Sequence, residues 1–190
     1  MIGKKVLFLD RDGIINKMVL QKSGVFDSPQ NTREVELVPG ISEVIGWLNK
    51  NKISVIEISN QPGVAKGKMN METLEAIEKR VHDLLKEKKV CIDKTYRCFH
   101  DSKENCYCRK PNPGLLLQAV EDLDIDLLNS AILGDNTSDM EAGMKVGVKT
   151  IHYFHENDVS YKVELNRKYK ADFRVYNHHE VIPVLIKLFL

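Results

Sequence analysis

Short apolar runs alternate with segments of helical periodicity along this chain. Residues 5–9 form a continuous apolar run, which is typical of a parallel strand buried on both faces. From residue 41 to about residue 51, apolar positions recur at helical spacing. The same alternation predicts strands at residues 54–58, 92–97, 131–133, 150–154 and 172–176, and helices starting at Asn70, after Pro113, at residue 138 and near His179. We therefore expect an α/β fold, a doubly wound, Rossmann-like parallel sheet with helices on both faces.

One long polar segment, residues 17–39, interrupts this alternation and is rich in turn-forming residues. A loop of this length is usually functional or disordered. The chain shows no internal repeat and no break in composition, so we predict that residues 1–190 form a single domain.

Composition narrows the choice of partners. The 190 residues are 43% hydrophobic and carry a formal net charge of +1, too little to hold nucleic acid or an anionic membrane by charge alone. Lys162, Arg167 and Lys168 are interspersed with acidic residues and are expected to form a solvated surface. The apolar run before Asp10 is too short for a signal peptide or a membrane span. We expect a cytoplasmic monomer that binds a small anionic molecule.

Four groups of polar residues follow predicted strands or the segments next to them. They are Asp10 with Asp12, Ser59 with Asn60, Arg109 with Lys110, and Asp135 with Asp139. Open α/β sheets bind ligands just beyond the carboxyl ends of their strands, so these groups are expected to meet. Their chemistry predicts a site that cleaves a phosphate ester.

Two carboxylates are predicted to perform the reaction. Asp10 can attack phosphorus and form an aspartyl-phosphate, and Asp12 can act as general acid and base. Because two carboxylates repel a phosphate dianion, the site requires a cation. Asp10, the backbone carbonyl of Asp12 and the Asp135 carboxylate offer the oxygen ligands that Mg²⁺ prefers, and Asp139 can orient a water bound to the metal.

Substrate contacts are expected from the other polar groups. Lys110 supplies a fixed positive charge for the transferring phosphoryl group, and Ser59 and Asn60 can donate hydrogen bonds to its oxygens. Arg109 is expected to enter the site beside Lys110. Lys66 and Lys68 are left open between contact with a distal phosphate and simple solvation.

The order and spacing of these motifs resemble the haloacid dehalogenase superfamily of phosphatases. Residues 10–16, 59–65 and 106–111 are similar to the branch that contains D-glycero-D-manno-heptose 1,7-bisphosphate 7-phosphatase and histidinol-phosphate phosphatase. The resemblance implies Mg²⁺-dependent hydrolysis of a phosphate monoester. It also implies a fold without a large cap domain, in which loops cover the substrate.

The same branch holds a structural zinc ion. Here Cys98, His100, Cys106 and Cys108 match that pattern and would form a closed tetrahedral Zn²⁺ site. Its expected task is to fix the loop that delivers Arg109 and Lys110. The alternative is two unrelated cysteine pairs in a loop. Cys91 has no partner in this scheme and is predicted to be a buried apolar residue.

Two features disagree about the substrate. Residues 63–68 and 110–116 look like the heptose enzyme, whereas the short segment 101–105 looks more like histidinol-phosphate phosphatase. We predict hydrolysis of the 7-phosphate of the heptose bisphosphate, with histidinol phosphate as the alternative. Outside this class, the rival is a noncatalytic, zinc-stabilised binding module, which would have no use for Asp10, Asp12, Lys110 and Asp135 at strand ends.

Overall fold

The computed structural model describes residues 3–155 and 170–190. The main strands are β1 (Val6–Leu9), β4 (Ser54–Asn60), β5 (Lys94–Cys98), β6 (Ala131–Gly134), β7 (Lys149–Tyr153) and β8 (Phe173–Val175). The α-helices of the described residues are α1 (Ile41–Lys50), α2 (Met71–Glu87), α3 (Gly114–Leu123), α4 (Thr137–Val146) and α5 (His178–Phe189). The strands pair in the order β5-β4-β1-β6-β7-β8, and every pairing is parallel. The predicted parallel α/β fold is confirmed.

Side chains alternate across the sheet and build two apolar layers. Leu7 and Leu9 of β1 face one layer, which contains buried residues of α1, α2 and α5. Val6 and Phe8 face the other layer, which contains buried residues of α3 and α4. A strand buried on both faces needs the continuous apolar run seen in the sequence.

The second sheet strand extends further than its apolar run. β4 ends at Asn60 rather than at residue 58, because Ser59 and Asn60 still pair with Arg97 and Cys98 of β5. The strand predicted at residues 92–97 likewise runs from Lys94 to Cys98. Polar site residues therefore belong to the ends of the strands themselves, which holds their backbone in the sheet.

The polar segment 17–39 contains regular structure that its sequence pattern did not predict. Strands β2 (Val19–Leu20) and β3 (Phe26–Asp27) pair in an antiparallel hairpin, and a 3₁₀ turn follows at Thr32–Glu34. Each strand has only two residues and neither is buried, so no periodicity could indicate it. Between β1 and α1 the chain thus inserts a hairpin rather than a folded cap.

Several expectations fall outside these observations. Lys162, Arg167 and Lys168 lie outside the described residues, and the single domain, the monomer and the cytoplasmic location stay predictions. Among residues 3–155 and 170–190, none of the helices has the length and apolar character needed to cross a bilayer.

Candidate active site

Most of the predicted site residues meet at one cavity of about 490 Å³ beyond the carboxyl end of the sheet. They are Asp10, Asp12, Asn60, Arg109, Lys110 and Asp135. Asp10 follows β1, Asn60 ends β4 and Asp135 follows β6, which are three adjacent strands. The parallel arrangement brings these residues together, as expected for an open α/β sheet.

Lys110 lies at the centre of the charged groups. Its ammonium nitrogen lies 2.9 Å from Asp10 Oδ1 and 2.6 Å from Asp139 Oδ1, and it donates a hydrogen bond of 2.8 Å to the Ile58 carbonyl. Burial alone would lower the pKa of Lys110, but the two carboxylates raise it above its ordinary value. Lys110 is therefore a permanent positive charge beside Asp10. Asp139, predicted to orient a water, is placed to hold Lys110.

Asp10, Asp135 and Asp139 form an acidic cluster in which one carboxylate oxygen of each lies within 4.8 Å of the others. Burial, followed by the charge of Asp139, raises the pKa of Asp10 from 3.8 to about 8. The positive charge of Lys110 alone does not balance the three carboxyl groups of this cluster. Oxygen donors at this spacing fit a hard divalent cation such as Mg²⁺, which would favour the ionised form of Asp10.

Backbone shape keeps room beside Asp135. Gly13 has φ of +92°, and a Cβ atom built there would lie 2.4 Å from Asp135 Oδ2. His155, which sequence reasoning missed, places Nε2 3.2 Å from the same oxygen. It follows β7, and no motif in the sequence marks it. The Asp135 carboxylate is thus confined between a glycine and a histidine.

Asp12 is held by an extensive set of donors. Arg11 donates to both of its oxygens, Gln61 Nε2 donates at 2.7 Å, Asn16 Nδ2 at 2.9 Å and Ser28 Oγ at 3.0 Å. Burial would raise the pKa of Asp12, but the Arg11 charge and these hydrogen bonds lower it below its ordinary value. Asp12 is therefore an ionised carboxylate fixed in the cavity wall, the form that accepts a proton.

Among the residues predicted to contact phosphate, Asn60 and Arg109 line the cavity, whereas Ser59 does not. Ser59 is buried, and its hydroxyl accepts a hydrogen bond of 2.7 Å from Gln61 Nε2. Asn60 lines the cavity, and its side-chain amide forms hydrogen bonds with the backbone of Lys110. Arg109 lines the cavity and donates to the His100 carbonyl at 3.2 Å. Gln61 and Arg11, which sequence reasoning had not assigned, connect Ser59 to Asp12.

The four predicted zinc ligands lie together. The Sγ atoms of Cys98, Cys106 and Cys108 are 3.4, 3.5 and 3.6 Å apart, and His100 Nδ1 lies 3.2 Å from Cys108 Sγ and 3.6 Å from Cys98 Sγ. A tetrahedral ion with Zn–S bonds of about 2.3 Å would place its sulfurs about 3.8 Å apart. The donor set and its spacing thus fit zinc. The prediction for Cys91 was wrong: it is exposed, at the surface beyond α2, with its backbone N–H bonded to Asn49.

Comparison with known proteins agrees with this geometry. Residues 107–177 match the family model described as HAD-hydrolase-like. A D-glycero-alpha-D-manno-heptose-1,7-bisphosphate 7-phosphatase of Campylobacter jejuni is 34% identical over 152 residues, which are 80% of this chain and 83% of the relative. The chain belongs to the HAD-like hydrolases. Within them it lies in the branch of the heptose bisphosphate phosphatases.

Two further members of this HAD branch extend the comparison. A D-glycero-beta-D-manno-heptose-1,7-bisphosphate 7-phosphatase of Mesorhizobium japonicum is 36% identical over 149 residues, which are 75% of this chain and 65% of that protein. The crystal structure of a heptose bisphosphate phosphatase from Bordetella bronchiseptica, in complex with magnesium and phosphate, matches with a TM-score of 0.81 and 25% identity. That match covers 96% of this chain and 98% of the other.

Proposed function

We propose that this protein is a Mg²⁺-dependent phosphatase that removes the 7-phosphate of D-glycero-D-manno-heptose 1,7-bisphosphate. The observation that carries the proposal is the position of Asp10, which lies at the end of β1 beside Lys110 and within the acidic cluster at the cavity. Relatives of the same HAD branch are named for this reaction. The substrate assignment rests on them, and the chemistry rests on the site.

The first step transfers the phosphoryl group to the protein. An Asp10 carboxylate oxygen forms a bond to phosphorus while the ester P–O bond breaks, and the leaving alkoxide takes a proton from Asp12 in its protonated form. Lys110, fixed at 2.9 Å from Asp10, stabilises the negative charge on the transferring oxygens. The products of this step are the alcohol and an aspartyl-phosphate.

The second step releases phosphate. Water attacks phosphorus, the bond between phosphorus and the Asp10 oxygen breaks, and the Asp12 carboxylate takes the proton of the water. The donors around Asp12 keep it ionised, which suits this role. Asp12 then carries the proton required for the next turnover.

Two metal ions complete the proposal. Asp10, Asp135 and the backbone carbonyl of Asp12 would hold Mg²⁺, which supplies a positive charge that allows a phosphate dianion to approach two carboxylates. Cys98, His100, Cys106 and Cys108 would hold Zn²⁺ in a closed set without an open position for chemistry. Cys108, the last of these ligands, immediately precedes Arg109 and Lys110, so a bound zinc ion would fix the loop that carries them.

The proposal is tested by phosphate release from parallel substrates. Because relatives carry both anomeric names, we compare the alpha and beta anomers of the heptose bisphosphate with histidinol phosphate and fructose 1,6-bisphosphate. We expect the highest kcat/KM on a heptose bisphosphate anomer. A preference for histidinol phosphate, which the short segment 101–105 would favour, would overturn the substrate assignment.

Asp10→Asn should abolish turnover in a folded protein, and residual full activity would remove Asp10 as the nucleophile.

A further inference from the structure

A buried ion pair lies behind the acid/base residue, on the side of the sheet that α2 covers. The Arg11 side chain is 0% exposed, and its Nη1 donates to Glu78 Oε2 at 3.1 Å. Glu78 belongs to the third turn of α2, and its other oxygen lies 3.0 Å from His82 Nε2. A buried guanidinium needs a fixed negative partner, and Glu78 provides it from outside the cavity.

The other end of the same guanidinium reaches Asp12. Arg11 Nη2 lies 3.1 Å from Asp12 Oδ2 and 3.2 Å from Asp12 Oδ1, and it donates to Gln61 Oε1 at 2.7 Å. Gln61 in turn donates to Asp12 Oδ2 and Ser59 Oγ, both at 2.7 Å. The planar guanidinium therefore fixes the orientation of Asp12 and of the amide that connects it to Ser59.

A second carboxylate nearby does not take part in this chain of contacts. Glu57 of β4 is fully buried, and both of its oxygens lack a hydrogen-bond partner among the described residues. Burial, followed by the Glu78 charge, raises its pKa well above its ordinary value. Glu78, whose contacts with His82 and Arg11 lower its pKa to about 2 against the effect of burial, remains the charged partner of Arg11.

We propose that Glu78 and Arg11 are positioning residues, which hold the Asp12 carboxylate where it removes the proton of the attacking water. Neither residue lines the cavity, so they act through Asp12 and through Gln61, both of which do. The inference rests on the proposed phosphatase activity. It predicts that loosening the pair slows hydrolysis of the aspartyl-phosphate more than its formation from a substrate with a good leaving group.

The test uses Glu78→Gln with p-nitrophenyl phosphate. Its leaving group departs without a proton, so kcat/KM reports formation of the aspartyl-phosphate without assistance from Asp12, whereas kcat includes its hydrolysis. We expect kcat to fall by about 10-fold, a part of the usual contribution of a general base, while kcat/KM stays within about twofold. Rapid mixing should then show a burst of about one p-nitrophenol per active chain. Arg11→Lys, which keeps the charge but loses the planar fork, should give the same division.

Glu75→Gln is the matched control, because Glu75 is an exposed residue of the same helix, three positions earlier. It should leave both parameters unchanged. The burst counts active chains, so partial misfolding of Glu78→Gln is corrected for. Equal losses in kcat and kcat/KM, or no loss in either, would overturn the positioning role while the activity of the unmodified protein stands. No phosphate release by the unmodified protein from any of the named substrates would overturn the proposed function and this inference together.

Discussion

The side-chain amide of Asn60 forms two hydrogen bonds with the backbone of Lys110. Asn60 Nδ2 donates to the Lys110 carbonyl at 3.0 Å, and the Lys110 N–H donates to Asn60 Oδ1 at 3.0 Å. These hydrogen bonds connect the end of β4 to the loop that follows the four predicted zinc ligands. The amide of Asn60 thus holds the backbone of Lys110, and the direct phosphate contact expected of Asn60 stays a prediction.

Asn60→Ala should therefore lower turnover through Lys110. The change leaves a buried backbone N–H and carbonyl without partners, at a cost of about 1–3 kcal/mol. If the displaced Lys110 ammonium group raises the activation free energy by about 1.4 kcal/mol or more, kcat drops by about 10-fold or more. Steady-state phosphate release and a thermal denaturation curve measure the two effects separately.

Asn49→Ala is the matched control for that substitution. Asn49 makes the same pair of hydrogen bonds, at 3.1 and 3.0 Å, to the backbone of Cys91 at the surface. It should reduce stability without reducing kcat. Equal effects of the two substitutions on kcat would contradict a specific role for Asn60.

The zinc site proposed for the cysteine cluster can be tested by measuring the metal content of the protein. Cys106→Ser removes one of four ligands, so its zinc content should fall well below the roughly one ion per chain expected of the unmodified protein. Activity should fall with it, because the loop before Lys110 loses its fixed point. Cys91→Ser is the control, since Cys91 is exposed and outside the cluster. A fully folded and active Cys106→Ser protein without zinc would contradict the structural role.

The positions of Asp10 and Asp135 could be predicted because each follows an apolar strand of recognisable length. Asp10 and Asp135 needed only the parallel sheet to bring them together, and the sheet follows from periodicity. The role of Arg11 could not be predicted in the same way. Its partner Glu78 lies 67 positions away on a helix, where a glutamate ordinarily faces solvent.

Local patterns also fail where a segment is short or a side chain has a choice of partners. The hairpin of β2 and β3 has too few residues for a period, and the amide of Asn60 fits a phosphate oxygen as well as a backbone. Residue type alone also misplaced Cys91. Its small apolar side chain suits a core, but its position after the end of α2 leaves it at the surface.

Gly13→Ala should weaken Mg²⁺ binding. A Cβ atom at this position would lie 2.4 Å from Asp135 Oδ2, so the carboxylate must move. We expect the Mg²⁺ concentration for half-maximal activity to rise by about 10-fold, which corresponds to about 1.4 kcal/mol. Gly24→Ala separates the steric effect from backbone strain, because Gly24 has φ of +78° and a Cβ atom there would meet nothing within 4 Å beyond its chain neighbours. An equal rise in both variants would contradict the steric explanation.

Asp10 also makes the stability of the metal-free protein depend on pH. Its pKa is about 8 in the folded protein against an ordinary value of 3.8, so the folded state keeps a proton that the unfolded state releases. Between about pH 4 and pH 8 this group therefore makes stability fall as pH rises, by at most about 1.4 kcal/mol per pH unit. Mg²⁺ binding requires the ionised form, so a fixed Mg²⁺ concentration should raise Tm more at pH 8 than at pH 6. Asp10→Asn removes the titrating group, and should show a weaker pH dependence without Mg²⁺ and a smaller rise in Tm with it. Parallel curves of Tm against pH for the two proteins would contradict the assignment of this titration to Asp10.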